Sequence, residues 1–103
     1  MKEIGPIIEQ LLRRNKLWRG YQQYQLVQRW PELVGRSIAE VSRAEKVVGG
    51  IMHVCVKDSV WSYHLSLMKP RFIAKLNRSA GNTIIKDIYF KIGPLEKEDN
   101  HDA

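Results

Sequence analysis

Ile51-Met52-His53-Val54-Cys55-Val56-Lys57, followed by Asp58-Ser59 and then by Trp61, Leu65, Met68, Phe72 and Leu76, is the stretch that decides the fold of this 103-residue chain. The first seven residues alternate with a period of two, and the later five recur with a period near 3.6. The change falls on a residue pair suited to capping a helix. A strand therefore feeds directly into a long helix with a tryptophan in its first turn. Within the strand, Met52, Val54 and Val56 share the face expected to point into a core, and Ile51, His53, Cys55 and Lys57 share the other. Pro70 removes the bond that its N–H would make to Ser66, which predicts a bend in the helix and not a stop.

Upstream, residues Val41 to Val48 and the strand at Ile51 are separated by Gly49-Gly50, which reads as a tight hairpin turn with both glycines at positive φ. Before them, Ile4, Ile7, Ile8, Leu11, Leu12 and Trp18 fall near one helical face. Pro6 suits a first-turn position, so a helix is expected from about Ile4 to Trp18. Gly20 interrupts it. Tyr24, Val27, Trp30 and Val34 then mark a second helix, in which Pro31 predicts a kink or break at Trp30, with a short helical turn after it. Downstream, Asn77 to Asn82 end the long helix and Ile84 to Ile92 form a last strand. The order is α-α-β-β-α-β. Three strands need helices over one face to bury their apolar side chains, which gives a two-layer α+β domain over residues 1–93. Residues 94–103 read as a short acidic flexible tail.

Hydrophobic content of 44% and charged content of 27% are those of a soluble globular domain. No apolar run approaches the roughly 18 to 20 residues of a membrane span, and the N-terminus has no signal-peptide core. Cys55 is the single cysteine and forms no intrachain disulfide, in agreement with a reducing, cytoplasmic setting. The net charge is +6, but Glu96, Glu98, Asp99 and Asp102 stand against Lys97 alone in the last ten residues. The other 93 residues hold 16 basic and 7 acidic side chains, a net of +9. Such a surplus favours an anionic partner, nucleic acid being the commonest in the cytosol, although basic domains are also often simply soluble.

The chain resembles the DciA-like proteins of bacteria along most of its length. The residues that carry the resemblance are Trp30-Pro31-Glu32-Leu33-Val34-Gly35 with Ile38-Ala39, the strand Gly50 to Val56, Asp58-Ser59-Val60-Trp61 with Leu65 and Leu67, Leu76-Asn77 with Gly81, and Ile85 to Gly93. The resemblance implies a KH-like fold and an association with loading or operating the replicative helicase, which would place the protein at the nucleoid. One departure is visible: some members carry a long basic C-terminal extension, and this chain ends in a short acidic one.

A KH domain usually grips nucleic acid through a Gly-x-x-Gly loop between two helices, and the chain contains none. Binding would then rest on side-chain charge and aromatic surface. The first candidate cluster is Arg13, Arg14, Lys16, Arg19 and Arg29 with Tyr21 and Tyr24, a mixture of guanidinium forks and stacking rings suited to single strands. Its alternative is a solvated helix face. The second is Lys69, Arg71, Lys75 and Arg78 along the long helix, where the charges of Lys75 and Arg78 also offset the macrodipole. Trp30 and Trp61 read as core anchors, whereas Trp18, beside Lys16 and Arg19, is the candidate for a protein contact. His53 and Cys55 lie two apart on one strand face, but a zinc site needs about four ligands, so neither metal nor cofactor is expected. Cys55 with His53 or His64 lacks any nucleophile signature, and no enzyme is expected. The reading that follows is a non-enzymatic DNA-associated accessory factor that binds the replicative helicase and assists its loading on single-stranded DNA, with no membrane or small-molecule partner. The alternatives are a protein-interaction module with incidental DNA contact and a KH-type RNA-binding module.

Overall fold

In the computed structural model, which describes residues 5–95, the alternating segment is strand β2 (Ile51–Val56), paired antiparallel with β1 (Ser42–Val48). Gly49 and Gly50 join them with φ of 59° and 82°, the left-handed geometry that a primed hairpin turn requires. β3 (Asp87–Ile92) lies parallel to β2 on its other side, so the sheet is mixed and has the order β1-β2-β3. This strand is shorter than the expected Ile84 to Ile92. Ile84 and Ile85 are buried instead in an irregular stretch, and both of their N–H groups donate to Asn77 Oδ1, at 3.0 and 2.8 Å. Asn77 Nδ2 donates in turn to the Ile85 carbonyl at 3.0 Å. One side chain thus pairs backbone groups that burial would otherwise leave unsatisfied.

Helix α4 (Ser59–Leu67) begins where the period changes, and Asp58 Oδ1 accepts the Trp61 N–H at 2.9 Å as its cap. The expected single long helix is two. α4 ends at Leu67 and α5 (Lys69–Ala80) starts after Met68, with Pro70 in its first turn. Proline stops one helix here because it suits the first turn of another, where its missing N–H leaves no bond unmade. The apolar stripe survives the break: Leu65, Phe72 and Leu76 are buried, and Trp61 and Met68 pack half-buried against them.

Helix α1 (Pro6–Arg14) is shorter than expected. It ends at Asn15, Lys16 takes φ 61°, and Trp18 opens α2 (Trp18–Val34) instead of closing the first helix. Ile4 lies outside the described residues. Gly20 sits inside α2, and α2 runs through Pro31 to Val34 without a break. Pro31 falls in the last turn on the exposed side, while Trp30, only 1% exposed, fixes the opposite side. Its Nε1–H donates to Ser42 Oγ at 3.0 Å and its ring meets Phe72 edge-on, centroids 5.6 Å apart. The buried face of α2 is Gln22, Leu26 and Trp30, rotated from the expected Tyr24-Val27-Trp30-Val34 face, and Tyr24 is 59% exposed. A four-residue α3 (Arg36–Ala39) then leads into β1.

The architecture is α+β, in the expected order, with the expected short helical turn formed as α3 and the long helix divided. Leu26, Trp30, Leu65, Phe72 and Leu76 from the helices meet Met52, Val54, Val56 and Ile88 from one face of the sheet, with Ile84 and Ile85 beside them. Each such side chain contributes about 1.5–3 kcal/mol on burial. The other face carries Arg43, Lys46, His53, Tyr89 and Lys91, all exposed or half-exposed, together with the buried Cys55.

Candidate nucleic-acid interface

The junction of α1 and α2 assembles the core of the first predicted cluster. Because Lys16 reverses the backbone, Trp18 returns over Arg13, whose guanidinium carbon lies 4.2 Å from the indole centroid, a cation–π contact. Arg13 also pairs with Glu9 at 2.9 Å, and this hydrogen bond holds the Glu9 carboxyl below the ordinary glutamate value. Trp18 and Tyr21 stack tilted at 5.8 Å, and the Tyr21 hydroxyl accepts from Gln25 Nε2 at 2.6 Å. Arg13, Trp18 and Tyr21 therefore form a column ordered by its own contacts. Arg14, Lys16 and Arg19 stand exposed around it, and none has an ion-pair partner among the described residues. Tyr24 is exposed one turn further along α2.

Arg29 is elsewhere. It follows Arg19 by ten residues, about 15 Å along the helix and roughly 80° around it. Its Nη1 donates to Ser79 Oγ on α5 at 3.2 Å and its Nε pairs with Glu32 at 3.2 Å. Lys75 Nζ donates to the Leu33 carbonyl at 3.2 Å, and Arg78 is exposed beside Ser79. The structure thus brings Arg29 and Lys75 to the seam between α2 and α5, with Arg78 exposed in the last turn of α5. Lys69 joins neither group, because its amine pairs with Asp87 at the start of β3, 3.0 Å away. Lys69, helped by the Ile88 N–H, holds the Asp87 carboxyl below the ordinary aspartate value. The turn between α4 and α5, Leu67-Met68-Lys69-Pro70, contains no glycine with which to admit a phosphate backbone closely.

A third group, which the sequence reading did not single out, lies on the open sheet face. Lys46 is opposite His53 in the β1–β2 register, and His53 is opposite Tyr89 in the β2–β3 register. The His53 and Tyr89 rings meet edge-on at 5.5 Å. In the next outward row Arg43, Cys55 and Lys91 stand side by side. Glu45, at an irregularity in β1, bridges Arg43 at 3.2 Å and Lys91 at 3.1 Å. The available signal was the alternation of both strands, which points His53, Tyr89 and Lys91 the same way. Their adjacency depends on register, which alternation alone leaves open.

His53 therefore packs on an aromatic ring, and Cys55 is buried, its Sγ donating to the Pro94 carbonyl at 3.5 Å. Among the described residues no three of His, Cys, Asp and Glu are grouped so as to hold a metal ion, and no helix is long and apolar enough to cross a membrane.

A UPF0232 protein of Mycobacterium tuberculosis (strain ATCC 25618 / H37Rv) is 27% identical over 59 residues, which cover 57% of this chain and 32% of that protein. A UPF0232 protein of Rhodococcus jostii (strain RHA1) is 27% identical over 60 residues, 58% of this chain and 32% of its own length. The match thus spans about a third of the curated relatives. Residues 3–90 match the sequence model of the Dna[CI] antecedent family, DciA. With nearly all of its folded body inside that match, the chain belongs to the DciA family.

Proposed function

We propose that this domain is a non-enzymatic accessory factor of bacterial DNA replication that binds the replicative helicase and assists its placement on single-stranded DNA. Membership of the DciA family supports the helicase half of this reading. The arrangement of the β1–β2 hairpin, the α4–α5 pair and β3 supports a KH-like reading of the fold, one without a glycine loop. The observation that carries the DNA half is the α1–α2 junction, where Arg14, Lys16 and Arg19 surround the stacked Trp18 and Tyr21. Unneutralised cations around ordered rings suit a flexible polyanion whose bases are exposed. Arg29, Lys75 and Arg78 are a separate basic group on the α2–α5 side, available as a second phosphate contact, and Lys69 is left to its structural pair with Asp87. The helicase contact falls to α1, whose Ile7, Ile8 and Leu11 are exposed, together with the half-buried Trp18. In such a factor the site of action is the cytoplasmic nucleoid.

Co-purification of the protein with a replicative helicase after nuclease treatment, with and without Arg14, Lys16 and Arg19 changed to Glu, tests both halves. Helicase retained by both forms, with single-strand binding lost only in the variant, is the expected result. For single strands each phosphate neutralised contributes a slope of about −0.7 in log affinity against log salt, so three or more contacts give a slope steeper than about −2. A flat salt dependence removes the DNA half, and loss of helicase on nuclease treatment removes the other. Preference for RNA over DNA of equal length would favour the RNA-binding alternative.

A further inference from the structure

We infer that the open face of the sheet is a second single-strand binding surface, distinct from the α1–α2 junction, on which unpaired bases stack against Tyr89 and His53 while Lys46 and Lys91 hold the flanking phosphates. The inference rests on the single-strand reading above and adds a site to it.

Tyr89 is the observation that leads there. It projects from the middle of a strand on the face away from the core, is 53% exposed, and has His53 edge-on beside it. A ring so placed leaves about half of its surface to solvent, and the edge-on contact with His53 restricts its orientation. The row Lys46-His53-Tyr89 crosses all three strands, about 10 Å in all, with Arg43 and Lys91 about 7 Å away along the strands. Charge agrees with this. Arg43 and Lys91 share a single carboxylate, Glu45, and Lys46 has no ion-pair partner among the described residues. Asp87, the other acidic residue nearby, is occupied by Lys69. The face therefore keeps a surplus of positive charge around two rings, the combination by which flat protein surfaces hold single strands.

The surface does not end at the strand edge. Beyond Tyr89 a groove of about 520 Å³ opens between β3 and α4, lined by His53, Tyr89, Ser62, Ser66, Lys69 and Phe90 among others. That volume is within the range of small-ligand sites, so one base leaving the sheet has room, with the serine hydroxyls as hydrogen-bond partners. DNA and RNA share this stacking and phosphate chemistry. The 2′-hydroxyl alone would separate them.

The test uses the full chain with fluorescence anisotropy of labelled oligothymidylate and oligouridylate of about 15 nucleotides, within the span of single-strand sites. Tyr89→Ala is expected to weaken binding about tenfold, because stacking on one ring is lost, whereas Tyr89→Phe stays within about twofold of the native protein. Lys46→Glu lowers the salt slope by about 0.7 or more, and each effect persists in an Arg14→Glu, Arg19→Glu background, as distant sites require. Ring resonances of His53 and Tyr89 shift on oligonucleotide addition. If Tyr89→Ala and Lys46→Glu bind as the native protein does and those resonances stay still while Arg14→Glu, Arg19→Glu abolishes binding, the sheet face is overturned and the junction stands. If the native protein binds neither oligonucleotide, both fall. A Tyr89→Ala protein that loses only self-association also overturns the proposal, since the face would then meet a second copy.

Discussion

Ser42 accepts the Trp30 indole N–H and donates its own hydroxyl to the Ile38 carbonyl at 2.7 Å, so one buried side chain ties α2, α3 and β1 together. Ser42→Ala would leave a buried indole N–H without a partner. The expected loss is about 1–3 kcal/mol, read as a lower urea midpoint at unchanged slope, and an unmoved midpoint contradicts the assignment. Trp30 was legible as a core anchor because its spacing put it on a helix face. Its partner was not, because a serine reads as polar and solvent-facing until the chain returns it to the tryptophan. Gln22 was hidden in the same way: it is buried on α2 with its amide donating to the Ala80 carbonyl at 3.1 Å. Asp87 makes a prediction of another kind. Its carboxyl is held below the ordinary value of 3.8 in the folded state, chiefly by Lys69. A group depressed on folding stabilises at pH above its unfolded value and loses that contribution as pH falls through the folded one. The pair is half exposed, so the effect stays under about 1 kcal/mol and shrinks in salt. Acid titration of the Asp87→Asn protein should show a shallower loss of stability below pH 3.8 than the native chain, and identical acid limbs would remove the pair from the account.

Helix α1 shows most clearly what an element's sequence reveals and what it leaves out. Its amphipathic pattern was legible and the helix is present, but it buries no residue, and Ile7 is 73% exposed. Periodicity reports that a face is apolar without naming what covers it. Native-state hydrogen exchange should therefore find the α1 amides opening far more readily than those of β2, as expected of an element with few buried contacts. Removing residues 1–14 deletes the Arg13–Trp18 contact and, with α1, a helix that buries no residue, so stability should fall by no more than about 1 kcal/mol. A collapse of the remaining fold would show that α1 belongs to the core. The proline positions teach a related lesson. Pro70 and Pro31 each allow a bend, a break or a helix end by local rules, and tertiary contacts chose. Met68 joins two helices at the first proline, while Trp30 packing on Phe72 carries α2 past the second. On α2 two apolar arcs fit a 3.6 period, and only packing against α5 and the sheet selects the one with Leu26.

Over the whole molecule, charge was the property most legible from sequence, and its distribution the least. The hairpin, the mixed α+β order and the positive body followed from period, turn residues and counting. The basic residues, however, divide among the α1–α2 junction, the α2–α5 seam and the open sheet face, because helix phase and strand register place them. The described chain ends beside the third of these. Arg43 donates to the Leu95 carbonyl from Nε at 2.8 Å and to the Pro94 carbonyl from Nη2 at 3.4 Å. The acidic stretch from Glu96 to Asp102 thus follows directly from a point on the basic face. Deleting residues 96–103 should strengthen single-strand binding several-fold at low salt, with the difference vanishing towards 1 M salt, where the screening length is about 3 Å. Equal affinities at low salt would free the tail of any such role. The segment that turns there has a further consequence for the lone thiol: a side chain on Gly93 would come within 3.3 Å of Cys55 Sγ, so the sulfur is roofed over closely. Air oxidation should then fail to cross-link two copies, and a maleimide should alkylate Cys55 only as fast as the end of β3 lifts away, which makes the thiol a native stopwatch for that motion.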